Sequence, residues 1–283
     1  MADAGPGDVG SALAQAQRLG VARLDAQLLV AAALGRARTW VLAHPEHRLG
    51  CAERERFDTL CARRALGEPL AYLLGEKEFH GLVLGVDRRV LVPRPETELL
   101  VEWALERLVE GPAQPCVADL GTGSGAIALA IAHARPDVRV CAVDLSADAL
   151  ACARDNGRRL GIAIEWLHGD WWSPLDGRRF DVVVGNPPYV AADDRHLAAL
   201  THEPQLALTP GGDGLSALRA IAAGAPAHLA PGGWLLLEHG HDQANAVRAL
   251  LQACGLSEVA TRADLARLSR CSGGRLPHPV SDR

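Results

Sequence analysis

Apolar positions along this chain follow two different periods. From residue 9 to about 75 they recur at helical spacing, as in DAQLLVAAALG, which closes on Gly35, and in a second segment that spaces Phe57, Leu60, Cys61 and Ala65 on one face. This predicts a small all-α domain over 1–78. EFHGLVLGV and RVLVP, separated by Asp87 and Arg88, read as the two strands of a β-hairpin that links it to the remainder over 79–95. ETELLVEWALERLVE then carries an apolar helical stripe of Leu100, Trp103, Ala104 and Leu108. From 114 onward, strand and helix patterns alternate: CVADL, AIALAIAHA, VRVCAVD, ADALACARDNGRRL, IEWLHGD, FDVVVGN, LSALRAIAAGAPAHL, GWLLLEHG, ANAVRALLQAC and two last strand-like pieces. That alternation predicts a doubly wound parallel α/β sheet over 96–283. Only the ends, 1–8 and 272–283, read as frayed.

Composition narrows the function classes. At 283 residues, 48% hydrophobic and 22% charged, the chain is long enough for one large domain or two smaller ones with ample core. A net charge of −5 argues against a general affinity for nucleic acid or an anionic membrane. The seven cysteines are odd in number, scattered and without a CxxC pair, so a reduced cytoplasmic protein without structural zinc is expected. No stretch reaches the length of a membrane span, and no metal, membrane or direct DNA partner is expected; a monomer is.

Candidate chemistry begins at DLGTGSGAIALA, where Gly121, Thr122, Gly123, Ser124 and Gly125 stand between a strand and a helix, and missing side chains let backbone approach a ligand. The next strand ends on Asp144, at the spacing where an acidic residue takes ribose hydroxyls. Asp170 and Trp171, at the end of the third strand, suit an adenine amino group and ring face, whereas Trp172 is expected in the core. An adenosine-containing cofactor follows. Gly121, Gly123 and Ala126 also satisfy the relaxed dinucleotide fingerprint, so a dehydrogenase stays in play at this point; without Gly-Lys-Ser/Thr a Walker site does not.

The fourth strand, DVVVGNPPYV, runs into Asn186, Pro187, Pro188 and Tyr189. Neither proline donates a backbone hydrogen bond, and Asn186 before a proline is pushed to an extended conformation, so the strand end is stiff and sits where α/β sheets bind ligands. The nitrogen of an amide or aromatic amine is a poor nucleophile, because its lone pair is delocalised. The Asn186 side-chain oxygen and the Pro187 carbonyl could each accept one N–H from such a group and aim its lone pair, with Tyr189 packed on its flat face. The electrophile must then be strong. The sulfonium methyl of S-adenosylmethionine is, and methyl transfer explains NPPY where hydride transfer does not.

With these blocks assembled, the sequence resembles the HemK/PrmC family of protein-(glutamine-N5) methyltransferases. EPLAYLLGEKEFHGL, LVPRPETELLVE, GDWWSPL, EPQLALTPGGDGL and LLLEHGHDQ look like family blocks in order, beside the glycine loop and NPPY; PRPETE and EPQLAL are the more specific. The resemblance implies a Rossmann-like class I methyltransferase with a seven-stranded, mostly parallel sheet. It also implies transfer of methyl from S-adenosylmethionine, leaving S-adenosylhomocysteine, to the glutamine of the GGQ motif of peptide chain release factors, in support of translation termination. By the same resemblance Gly121 to Gly125, Asp144, Trp171 and Asn186 bind cofactor, and Asn186 to Tyr189 hold the substrate glutamine, with Glu203 and Pro204 shaping the substrate mouth. Arg94, Glu96, Thr97 and Glu98 fall in a segment that lines the methionine side in related enzymes, although the last three also suit a helix start. Two departures touch the substrate edge: His202 stands where an aromatic residue is expected before Glu-Pro, and DLARLSR lacks the glycine of the family's closing hairpin. The rival is an adenine-N6 methyltransferase acting on DNA or RNA, which should carry a basic surface. Residues 1–80 instead balance ten acidic against ten basic side chains.

Overall fold

The computed structural model describes residues 7–110 and 112–279, and the chain divides into two compact units, Met1–Glu76 and Lys77–Arg283. Among the described residues the first holds five helices: α1 (Val9–Arg18), α2 (Arg23–Leu34), α3 (Arg38–Ala43), α4 (Cys51–Ala65) and α5 (Leu70–Leu74). Asp8 caps α1 by accepting the Ser11 N–H at 2.8 Å, and Gly35 ends α2 in the left-handed conformation (φ 61°). The core is built from Val9, Leu29, Val30, Val41, Phe57, Leu60 and Cys61. Ala65, predicted on the same stripe, is exposed because α4 ends there. An Arg64–Asp25 pair at 2.7 Å ties α4 to α2.

A hairpin does follow, but it is tighter than the sequence pattern suggests. β1 (Glu76–Phe79) and β2 (Leu82–Gly85) form a two-stranded sheet that turns through His80 and Gly81, both at positive φ (49° and 78°). A two-residue turn with both φ positive matches the twist of a hairpin, so EFHGLVLG closes on itself. RVLVP is therefore not a strand. Pro93 has no N–H to give a ladder, and the Val92 N–H is spent on the Glu203 carboxylate at 3.0 Å.

The second unit carries α6 (Glu98–Val109), α7 (Ala126–Ala134), α8 (Ala147–Leu160), α9 (Ser216–His228) and α10 (Ala244–Ala253) around seven strands: β3 (Cys116–Leu120), β4 (Arg139–Asp144), β5 (Glu165–His168), β6 (Phe180–Gly185), β7 (Leu229–Glu238), β8 (Ser257–Ala263) and β9 (Ser269–Arg275). Their order is β5-β4-β3-β6-β7-β9-β8, parallel except for β9, which runs antiparallel to both neighbours. The central strands are buried on both faces, and successive residues serve two cores. Val182, Val184, Trp234 and Leu236 join the core under α6 and α7, whereas Val183, Leu235 and Leu237 join that under α9 and α10. The chain winds from β3 outward through β4 and β5, then returns to β6 on the other side. The crevice beyond the carboxyl ends of β3 and β6 is thus the topological switch point.

The expected fraying of 272–283 is wrong for 272–275. Ser272, Gly273 and Gly274 lie buried in β9 between β7 and β8, and residues 280–283 fall outside the described residues. CSGGR has no β-branched residue to signal a strand, but small residues are what this strand requires. A Cβ on Gly273 would come within 2.4 Å of Leu236 and 3.1 Å of Trp103, and one on Gly274 within 3.0 Å of Leu256 and Val259. The β8–β9 turn lacks its glycine, and Arg267 takes the left-handed position instead (φ 62°), held by its N–H to the Asp264 carbonyl at 2.8 Å. Among the described residues no helix is long and apolar enough to cross a membrane.

Candidate active site

The switch point opens into a cleft lined by Arg94 and Thr97 before α6, Gly121 to Ser124 after β3, Asp144 at the end of β4, Asp170 and Trp171 after β5, Asn186 and Pro188 after β6, and Pro204. Most of the residues singled out in the sequence therefore converge on one space. Arg89, Ile127, Leu145 and Leu206 line it too, and no pattern in the sequence marks them.

Local structure explains the glycine loop. Gly121 and Gly123 have positive φ (75° and 57°), and a Cβ on Gly121 would press within 3.2 Å of the Trp171 ring. Gly125 is not in the cleft. It stands behind the loop at the start of α7, where a Cβ would meet Trp166 at 2.9 Å and Leu129 at 3.1 Å. Asp144 accepts the Gly123 N–H and the Ser146 N–H, each at 2.8 Å, so its carboxylate ties the loop to the end of β4 while facing the cleft. Burial raises its pKa against those N–H bonds. Trp171 itself has positive φ (43°), a strained placement for a large side chain that fixes the indole over the glycine loop. Trp172 packs as expected: its ring stacks on His228 at 4.6 Å and donates to the Ile221 carbonyl at 3.2 Å.

Two buried carboxylates at strand ends escaped the sequence reading. Asp119, fully buried on β3, accepts from the Thr122 hydroxyl at 2.6 Å and the Ala128 N–H at 3.2 Å; burial raises it to about 7, and its Oδ1 has no partner among the described residues. Glu238, the last residue of β7, is 1% exposed and is likewise raised by burial to about 7. It accepts from the Tyr189 hydroxyl at 3.2 Å, and its Oε2 has no hydrogen-bond partner among the described residues. An acidic residue at or next to the end of an apolar parallel strand, the signal that marks Asp144, marks both, although neither lines the cleft.

The NPPY segment is held from several sides. Asn186 donates its Nδ2–H to the Thr97 hydroxyl at 3.2 Å, so the amide nitrogen is engaged and Oδ1 is left to accept from a ligand. Tyr189 does not line the cleft. Its ring packs on the α9/α10 core, its hydroxyl reaches Glu238, and its carbonyl accepts from Gln243 Nε2 at 2.9 Å. Pro187 is buried beneath the turn. Glu203 is not at the mouth: its buried carboxylate takes the Val92 N–H and an Arg94 guanidinium N–H at 2.5 Å, bracing the 89–97 segment to the loop that carries Pro204. The helix-start reading also divides. Thr97 makes no capping bond because its hydroxyl serves Asn186, and Glu98 accepts the His80 N–H at 3.1 Å.

A glycine loop and acidic strand end at the switch point, with a stiff Asn-Pro-Pro-Tyr turn beside them, define a methyltransferase of Rossmann-like fold. Residues 9–75 match the PrmC N-terminal domain and residues 96–218 the methyltransferase small domain. A release factor glutamine methyltransferase of Burkholderia pseudomallei is 54% identical over 90% of this chain and 92% of its own length, and one of Bordetella pertussis is 52% identical over 91% and 96%. The 16S rRNA N2 G1207 methyltransferase of T. thermophilus, solved with AdoMet and guanosine, shares the fold at a TM-score of 0.52 and 21% identity, over 71% of this chain and 49% of that one. The chain belongs to the HemK/PrmC family of protein-(glutamine-N5) methyltransferases.

Proposed function

We propose that this chain methylates the side-chain amide nitrogen of the glutamine in the GGQ motif of a peptide chain release factor, with S-adenosylmethionine as donor. The observation that carries the reading is the Asn186 amide. Its nitrogen is committed to Thr97, so an acceptor oxygen faces a cleft whose other wall is the glycine loop. The cleft suits the donor: Asp144 offers a carboxylate to a ribose, Asp170 and Trp171 flank the space for an adenine, and the Gly121 backbone is bare enough for close approach. S-adenosylmethionine supplies an electrophilic methyl on a positively charged sulfur.

Asn186 Oδ1 and the Pro187 carbonyl hold the two N–H bonds of the acceptor amide in this reading, turning the nitrogen lone pair toward that methyl. The N–CH₃ bond forms as the C–S bond breaks, its electron pair going to sulfur, and the nitrogen then releases one proton to solvent. Tyr189, Gln243 and Glu238 keep the turn from moving. The test is mass spectrometry of a release factor incubated with the protein and S-adenosylmethionine. The expected result is one added methylene mass on the GGQ peptide, localised to the glutamine; methylation elsewhere, or of adenine in nucleic acid instead, would overturn the proposal.

A further inference from the structure

Asn156 stands on α8 at 2% exposure, and no motif in the sequence marks it. A buried carboxamide is costly unless its polar atoms are bonded, so its partners show what it holds. Its Oδ1 accepts the Gly85 N–H at 2.7 Å, while its Nδ2 donates to the Gly85 carbonyl at 3.0 Å and to the Ser124 carbonyl at 2.9 Å. The side chain thus pairs with both main-chain groups of Gly85, as a neighbouring strand would, and spends its second N–H on the glycine loop. Only one orientation of the amide allows this. Turned over, it would set an oxygen against two carbonyls and an NH₂ against the Gly85 N–H. Arg159 Nη2, 3.5 Å from Oδ1, adds a donor that favours the same orientation.

The two segments that Asn156 joins are two walls of one cleft. Ser124 lines it from the glycine loop. Gly85 ends β2 and leads into a strap, residues 86–94, from which Arg89, Val90, Leu91, Pro93 and Arg94 line the same space. Asn156 itself does not line the cleft. The far end of the strap is held separately, by Glu203 on the Val92 N–H and the Arg94 guanidinium. At the near end the fit is close: a Cβ on Gly85 would come within 3.1 Å of Asn156 Oδ1, and Cys152 Sγ lies 3.4 Å from the Gly85 carbonyl. A strap pinned at both ends, with one pin shared by the opposite wall, fixes the width of the space between them.

A ligand that enters a site of fixed width loses less affinity to ordering its walls. Resting on the reading of this cleft as the S-adenosylmethionine site, we propose that Asn156 is a positioning residue for the methyl donor: from behind the cleft, its side-chain amide holds the glycine loop and the 86–94 strap at the spacing the donor requires.

The experiment measures the Kd for S-adenosylhomocysteine by isothermal titration calorimetry, well below the Tm of each variant, together with kcat and the KM values for S-adenosylmethionine and for an intact release factor. It uses the full-length protein and Asn156→Asp, Asn156→Ala and Gly85→Ala. Asn156→Asp keeps the volume and the acceptor for the Gly85 N–H but turns a carboxylate on two carbonyls, so Kd and the donor KM should rise by about tenfold or more, roughly the worth of one hydrogen bond. Asn156→Ala removes the bonds without adding repulsion, and the rise should be about threefold. In both, kcat at saturating donor and KM for the release factor should stay within about twofold of wild type, because binding of the donor alone is weakened. The order of the two variants separates positioning from packing, since packing makes truncation to Ala the worse change. Weaker donor binding in Asn156→Ala than in Asn156→Asp, or a Kd within about twofold of wild type in both, would overturn the proposal. A fall in kcat at saturating donor as large as the rise in Kd would do so too. Gly85→Ala presses on the amide from the other side and should raise Kd by about threefold; if neither Asn156 variant folds, an unchanged Kd in Gly85→Ala overturns the proposal by itself. A wild type that does not bind S-adenosylhomocysteine would overturn the donor reading of the cleft and this proposal with it, whereas the variant outcomes leave that reading intact.

Discussion

Removing the Glu203 carboxylate should destabilise the catalytic unit rather than weaken substrate binding. Glu203 is 5% exposed and holds the Val92 backbone N–H at 3.0 Å and the Arg94 guanidinium. In Glu203→Ala the Val92 N–H is left without its acceptor, at a cost of about 1–3 kcal/mol. The Arg94 side chain is 36% exposed and can be rehydrated, so loss of the ion pair adds about 1 kcal/mol or less. A total of about 1–4 kcal/mol in a unit of this size corresponds to a fall in Tm of roughly 3–12 °C. Glu203→Gln retains a carbonyl acceptor for Val92 and loses only the charge, so its Tm should fall by roughly 2–4 °C. The assay is thermal unfolding followed by circular dichroism, in parallel with KM for an intact release factor. An unchanged Tm in Glu203→Ala together with a raised KM would refute the brace and return Glu203 to the substrate mouth.

Asn186→Ala should lower kcat by about 10² or more, the scale of losing a positioned polar group, with the dissociation constant for S-adenosylhomocysteine changed far less; wild-type turnover would reduce NPPY to a strand terminator. S-adenosylmethionine or its product should raise Tm where NAD does not, by about 2.7 kcal/mol in stability at about 100 times its dissociation constant, and protection by NAD alone would contradict the cleft assignment. Asp119 is lifted by burial from 3.8 to about 7, so the folded state binds its proton more tightly than the unfolded chain does. Its contribution to stability should therefore be greatest below about pH 4, fall as pH rises to about 7 and level off above; urea titrations of Asp119→Asn should show a flatter profile over that window, and an identical profile would count against the assignment. A chain truncated to begin at Glu76 should keep cofactor binding and act on a short GGQ peptide, yet lose most of its kcat/KM on the intact factor, because a tripeptide offers far less than the roughly 800 Å² per partner of a stable interface. Undiminished activity on the intact factor would remove any docking role from Met1–Glu76.

The parts of this protein that could be read from its sequence are those where one residue type answers one physical demand. Val182 to Val184 could hardly be anything but a strand buried on both faces, and Gly121 to Ser124 followed by Asp144 could hardly avoid a ligand crevice. β9 was hidden because its demand is negative. Trp103, Leu236, Leu256 and Val259 leave no room for side chains on Gly273 and Gly274, and absence of side chains reads as a frayed end. The second hairpin strand was misplaced for a similar reason. His80 at φ 49° supplies a left-handed turn position that asparagine or glycine would have announced.

Distances between segments are the other thing a sequence withholds. Glu203 and Val92 lie 111 positions apart, as do Asn186 and Thr97 by 89, and nothing local to any of them specifies the partner. Glu203 and Pro204 are adjacent, yet only Pro204 reaches the cleft, while Tyr189 faces away from it and Thr97 into it. Motif membership therefore picked out segments that meet at one cleft but could not assign sides. Buried polar groups assign them, because each must find a partner or remain costly. Asn186 with Thr97 and Tyr189 with Glu238 are two such pairs, and they join NPPY to PRPET on one side and to LLLEHGHDQ on the other although the three lie far apart in sequence.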